Sequence, residues 1–208
     1  VEGSLVSTIL ASSTDRPAWL AARQGGVTAT DVARLARGGA GTWAAVRAEK
    51  AGTARDFHNA AMQHGIDREG KILEFASAAF GLEPCGDLHA ADDEPRFLAT
   101  PDAISATEIG EVKTTVHDWD VLSDAPGRYI DQMLWQMRVT GRRRGRLVFE
   151  PHENGVPVYP WPKHFVVEYD EARVAVLEQA ARDFLDADAE PDEDAAELDA
   201  LLDAALNL

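Results

Sequence analysis

Cysteine is nearly absent. Cys85 is the only one in 208 residues, which excludes an internal disulfide, a Cys-rich zinc site and a cysteine-ligated iron–sulfur cluster. Lysine is scarce: Lys50, Lys71, Lys113 and Lys163 stand beside sixteen arginines. Arginine is the better fork-shaped phosphate ligand, although an alanine-rich, arginine-heavy composition also raises its count without any such role. No apolar run approaches the roughly 18 residues that a membrane span needs. The short apolar patch in the N-terminal VEGSLVSTILASS has an acidic flank where a secretory signal would be basic, so a cytoplasmic protein is expected. The six histidines form no H-x-x-x-H or H-E-x-x-H pattern, and neither G-x-S-x-G nor the full P-loop pattern G-x-x-x-x-G-K-S/T occurs. Zinc hydrolysis, serine hydrolase and P-loop chemistry are therefore unsupported.

What is present is ordinary globular material, 45% hydrophobic and 27% charged, enough for one domain with a sizeable core. The net charge of −16 looks unsuited to a nucleic-acid protein, but its distribution is uneven. Ten acidic residues and no basic one lie from Asp183 onward, leaving −6 for residues 1–182. Overall charge thus decides nothing about the partner.

The pattern predicts a short helix from about Arg16 to Gly25-Gly26, and another after Thr28, Thr30 and Asp31 as first-turn or capping residues. A third runs from Thr42 to Ala51, and the longest from Asp56 to Phe80 with Gly81 as C-cap. PRFLATPDAI and IGEVKTT read as two strands joined by a polar turn at residues 105–108. GRYIDQMLWQMRVTG is a helix closed by Gly141; RGRLVFEP and KHFVVEYD are strands; EARVAVLEQAARDFLDA is a last helix. An α/β or α+β core follows over residues 1–190. Residues 191–208 form an acidic amphipathic helix or tail with Leu198, Leu201, Leu202, Ala205 and Leu206 at helical spacing.

The chemistry concentrates at Thr100-Pro101-Asp102 and Glu111-Val112-Lys113. On a strand, Glu111 and Lys113 share a face while Val112 points into the packing, and a hairpin turn would bring Asp102 alongside. Two carboxylates there can hold a hard divalent ion such as Mg2+, and an ammonium beside it can orient an attacking water and offset phosphate charge. The same residues would also suit a solvated strand face with a surface ion pair. Glu69 shares a helical stripe with Met62, Ile66, Leu73, Ala76 and Phe80, with Gly65 one turn earlier. A carboxylate on that side needs either a cation or an arginine partner. Arg23 and Thr30, near a helix start, could seat an anion, or be a surface residue and a cap. Gln132 and Gln136 share a helix face next to Tyr129. Arg142, Arg143, Arg144 and Arg146 form a basic run suited to a DNA backbone or to a charged turn.

In order and spacing, these pieces resemble the phage lambda exonuclease/YqaJ viral recombinase family of PD-(D/E)xK nucleases. The resemblance rests on Arg23-x4-Thr28-Ala29-Thr30-Asp31, Gly65-x3-Glu69, Thr100-Pro101-Asp102, Glu111-Val112-Lys113, and Tyr129-x2-Gln132 with Val139-Thr140-Gly141. It implies an α/β restriction-endonuclease-like core, a mixed β-sheet flanked by helices. It implies a Mg2+-dependent exonuclease, with Mn2+ as a possible substitute, acting 5′ to 3′ on linear double-stranded DNA ends and leaving 3′ single strands for recombination. By the same resemblance Asp102, Glu111 and the Val112 carbonyl hold the metal, Lys113 is the catalytic lysine, Glu69 supports the metal and Gln132 flanks it. Arg23, Thr30 and Thr100 form a 5′-phosphate pocket, and His117 stands where the family carries an arginine. A homotrimeric ring and a single-strand annealing partner are also implied, with no membrane. Two readings compete: a structure- or site-specific endonuclease on the same core, and a non-enzymatic acidic interaction module.

Overall fold

The computed structural model describes residues 7–53 and 60–187, with side chains of residues 60–62 left aside. The chain opens with strand β1 (Ser7–Ser12), then helices α1 (Arg16–Gln24), α2 (Ala29–Leu35), α3 (Ala40–Lys50) and α4 (Ala60–Phe80). Short strands β2 (Glu83–Pro84), β3 (Asp87–Ala91), β4 (Leu98–Ala99) and β5 (Ala103–Ile104) lead into β6 (Glu108–Thr115). Helix α5 (Gly127–Thr140) crosses over to β7 (Arg144–Glu153), followed by β8 (Val156–Pro157), β9 (Lys163–Glu168) and α6 (Glu171–Ala187). The expected segments starting at Asp56 and covering 191–208 lie partly or wholly outside the described residues.

The larger sheet runs β2-β5-β6-β7-β8, with β9 also on β7; a small sheet orders β1-β3-β4. β6 and β7 are parallel from Glu108↔Arg144 to Thr115↔Pro151, and every other strand pair is antiparallel, so the sheet is mixed. A parallel pair needs a long crossover, which α5 supplies. Gly141 ends that helix in the left-handed region at φ 73°, as the sequence predicts.

Helices cover both faces. Ile72 and Ala76 of α4 pack with Leu82, Ala103, Val112 and Val148. On the other side Met133, Leu134 and Met137 of α5 pack with Ile109, Leu147 and Phe149, and Val174, Leu177, Ala181 and Phe184 of α6 join that larger core. Burial on both faces explains why β6 reads IGEV rather than as a clean alternation.

Three expectations change. The predicted strand 95–104 is split between two sheets as β4 and β5, because Pro101 has no N–H to give a ladder. β1 and β3 are strands that the sequence pattern left unread. The α4 stripe holds only in part: Leu73, Ala76 and Phe80 pack with the core as expected, but Ile66 is 57% exposed and Glu69 is exposed. The Arg–carboxylate partnership open to Glu69 is made instead by its neighbour Arg68, which holds both oxygens of buried Glu150 at 2.7 and 2.6 Å.

Candidate active site

The break between β4 and β5 creates the site. β5 pairs with β6 only at Ala103↔Gly110 and Ile104↔Ile109. Beyond that, the β6 backbone has no β5 residue opposite it, and the Asp102 side chain fills the gap: Val112 N–H donates to Asp102 Oδ2 at 2.7 Å. The carboxylate is thereby fixed beside Glu111 and Lys113. Behind it, the Cys85 N–H donates to the Asp102 carbonyl at 2.9 Å, tying the loop to the strand behind.

Glu111 and Lys113 leave β6 on the α5 side, while Val112 packs with Ile72 and Val148 on the other, as the alternation requires. Glu111 is 0% exposed. Its Oε1 meets the Lys113 ammonium and its Oε2 accepts from Gln136 Nε2 at 2.7 Å. Lys113 Nζ also lies 5.3 Å from the Tyr129 ring centre, so α5 contacts both members of the motif.

Electrostatics set this cluster apart. Burial, and then the Glu111 charge, push the Asp102 carboxyl up to about 7, although Lys113 and the Val112 N–H oppose the shift; Glu69 adds to it. The Lys113 ammonium is held well above its ordinary range: burial works against it, but Glu111 and Asp102 outweigh that. Glu69 thus stands close enough to act on Asp102, but from the solvent side rather than from a buried stripe.

A hard divalent cation fits this donor set. Asp102 and Glu111 carry more negative charge than Lys113 and one N–H relieve, and oxygen is the ligand such ions prefer. Among the described residues no three His, Cys, Asp or Glu side chains group to hold a metal. A cation here would have the two carboxylates Asp102 and Glu111 to draw on.

The other expected site residues make no hydrogen bond to Asp102, Glu111 or Lys113. Gln132 is half-buried and makes no hydrogen bond to either acid; Gln136, one turn on, makes that contact instead. The shared face of the two glutamines was readable in the sequence, but the depth that separates them was not. His117 is exposed beyond the end of β6, its own N–H held by Thr115 Oγ1 at 3.0 Å. The arginine run is occupied by protein acceptors: Arg142 by the Ser105 carbonyl, Arg143 by Glu171, and Arg144 and Arg146 by Glu108. It is a charged turn and strand start.

Arg23, Thr30 and Thr100 form no hydrogen bonds with one another. Their segments are nevertheless stitched together: Val27 N–H donates to Arg96 O at 2.8 Å and Leu98 N–H to Val27 O at 2.9 Å. Gly26 permits this approach, since a Cβ there would sit 2.1 Å from Arg96 O. The Arg23 guanidinium lies 4.3 Å from the Trp19 ring centre, and burial pulls its pKa down. The Thr100 hydroxyl is buried without a partner. Helix α2 begins at Ala29, so Thr28 rather than Thr30 is its cap; Thr28 N–H and Oγ1 both donate to Asp31, which also pairs with Lys50 at 2.7 Å. Thr30 is exposed in the first turn.

A family model described as YqaJ-like viral recombinase domain matches residues 18–143. No curated protein matches the chain. Among solved structures, the alkaline exonuclease LHK-Exo from Laribacter hongkongensis is 26% identical, with 91% of this chain and 97% of that one covered, at a TM-score of 0.65. LHK-Exo in complex with dAMP gives a TM-score of 0.66 at the same identity and coverage. A phage related exonuclease from Haemophilus somnus 129PT shares the fold at 13% identity, with coverage of 79% and 96% and a TM-score of 0.58.

Proposed function

The chain belongs to the YqaJ-like viral recombinase family, and from that premise we propose that it digests linear double-stranded DNA from the 5′ end with Mg2+, leaving 3′ overhangs for recombination. That it is a metal-dependent deoxyribonuclease follows from the family and from its likeness to LHK-Exo; polarity, cation and product are the proposal. The observation that carries it is the convergence of Asp102, Glu111 and Lys113 on one point of β6. The dAMP bound by LHK-Exo supports an end-directed reaction, because a deoxynucleoside monophosphate is what stepwise hydrolysis releases.

Asp102, Glu111 and the Val112 carbonyl would hold the cation, with Glu69 adding negative charge from the solvent side. When bound, Mg2+ (or Mn2+) supplies Lewis acidity toward the phosphodiester and lowers the proton affinity of the attacking water. Lys113 brings a fixed positive charge to the scissile phosphate, where its value grows as negative charge develops. The Tyr129 ring and Glu111 keep that ammonium from swinging away. Gln132 would line the cleft next to the metal. Arg23, Thr30 and Thr100 would receive the terminal 5′-phosphate; a desolvated guanidinium and a buried hydroxyl without a partner are groups that an anion would satisfy. His117 would reach the phosphate path from the end of β6.

The reading takes residues 1–190 as one nuclease domain and the acidic segment 191–208 as an appendage. It extends to a ring-shaped homotrimer, a single-strand annealing partner and a cytoplasmic setting, all three resting on the resemblance. Among the described residues no helix is long and apolar enough to cross a membrane.

The test is digestion of linear duplex, end-labelled on either terminus, beside closed circular duplex, with and without Mg2+. The expected result is Mg2+-dependent loss of the 5′ label from linear DNA and an intact circle. Cutting of the circle would favour an endonuclease, and no loss of DNA under any condition would favour a binding module. Duplexes bearing a 5′-phosphate should be digested faster than those ending in 5′-hydroxyl; equal rates would remove the Arg23/Thr30/Thr100 pocket.

A further inference from the structure

We infer that Gln136 is a positioning residue of the nuclease centre: from the buried side of α5 it holds Glu111 in the orientation that a divalent cation requires. The inference rests on the nuclease reading and deepens it. Gln136 is 0% exposed, and its neighbours Met133, Leu134, Trp135, Met137 and Val139 are all buried on the same helix. Its Nε2 donates to Glu111 Oε2 at 2.7 Å, while its Oε1 is buried and accepts nothing. A half-satisfied amide in an apolar core is a cost that a leucine or methionine would remove, so packing does not account for it.

What the amide supplies is direction without charge. A buried arginine or lysine in its place would cancel the carboxylate and weaken its pull on a cation. An apolar residue would leave the Glu111 carboxylate with Lys113 as its one remaining partner, on a single oxygen. The neutral donor leaves the full negative charge on Glu111 and fixes one of its two oxygens. Its helix is anchored in turn: Trp135 Nε1 donates to Leu98 O at 3.1 Å, and Thr140 Oγ1 bonds the Gln136 carbonyl at 2.7 Å. The support thus reaches from the strand before Thr100 through α5 to the carboxylate. Groups standing behind a ligand in this way commonly change metal affinity 10- to 100-fold when removed.

The experiment compares the full-length wild type with Gln136→Met, which keeps the bulk, and Gln136→Asn, which keeps the amide but falls short of Glu111. Mn2+ binding is measured by electron paramagnetic resonance without DNA, beside kcat and KM on linear duplex and the melting temperature of the metal-free protein. The expected result is Mn2+ affinity weaker by about tenfold in both variants, a lower kcat, an unchanged KM for DNA, and a melting temperature held or raised in Gln136→Met. Wild-type Mn2+ affinity in both variants would overturn the inference, and so would failure of both to fold, which would make Gln136 a packing residue. The nuclease reading fails separately, if the wild type itself neither binds Mn2+ nor digests DNA.

Discussion

Two carboxylates withdrawn from water, Asp102 and Asp131, meet opposite treatment. Asp131 is 1% exposed on α5, where Arg173 holds both its oxygens at 2.8 and 2.7 Å and Arg37 takes one of them as well. Burial would raise its carboxyl, but the two guanidiniums win and hold it below the usual carboxylate range. Asp102 has one backbone N–H, a lysine shared with Glu111, and a second carboxylate beside it, and is pushed up to about 7. The first is compensated by two guanidiniums and joins the turn after α2 to α5 and α6. The second is left in want of positive charge. Burial of an acid is thus no signature of function by itself; the shortfall in compensation is.

The largest test of this contrast removes the lysine. Lys113→Ala should lower the digestion rate about 100- to 1,000-fold while the metal-free protein still folds, read by single-turnover digestion and circular dichroism. Asp131→Asn should do the reverse: it leaves two arginines facing a neutral side chain and costs about 2–3 kcal/mol in urea unfolding, with activity per folded molecule unchanged. A loss of activity without a loss of stability would erase the distinction.

Acidity sharpens it further. The folded carboxyl of Asp131 lies below its unfolded value near about 4, so its contribution is present above that pH and is lost as pH falls through the lower folded value. Asp102 has the opposite sign: its folded value of about 7 exceeds the unfolded one, so stability associated with its proton is present below about 4 and lost as pH rises through 7. With chelator present, Asp102→Asn should flatten the pH 4–7 slope of the unfolding free energy, and Asp131→Asn should flatten the acid limb. The smallest effect concerns the scaffold. Gly26→Ala places a methyl against the Arg96 carbonyl and should destabilise by about 1–3 kcal/mol, with reduced preference for 5′-phosphorylated ends. An unchanged melting temperature would show that the loop has room to shift.

The long helices and central strands were legible because glycine punctuation and apolar spacing agree there; α1 starts and stops, and α6 starts, where the pattern sets them. β3 was not, since Asp-Leu-His-Ala-Ala has neither β-branched residues nor alternation and is set in place by pairing with β1. Glu69 shows the limit of periodicity. Among the described residues, the α4 side chains that join the apolar core all lie in its second half, so a stripe drawn through Ile66 and Glu69 marks a solvent side. The Asp102–Glu111–Lys113 triad was visible because two-residue spacing fixes a strand face. Gln136 was missed because i and i+4 define a direction around a helix and say nothing about which of two residues reaches the acid.

The bond from Val112 N–H to Asp102 has a consequence for how such a chain can change. Where β5 stops, that carboxylate serves as one more rung of the sheet, so the position is answerable to folding as well as to catalysis. A descendant that abandoned DNA cleavage could discard Lys113 freely, yet would still need an acceptor at 102. Asparagine would therefore be the natural relic there, and alanine the rarer one.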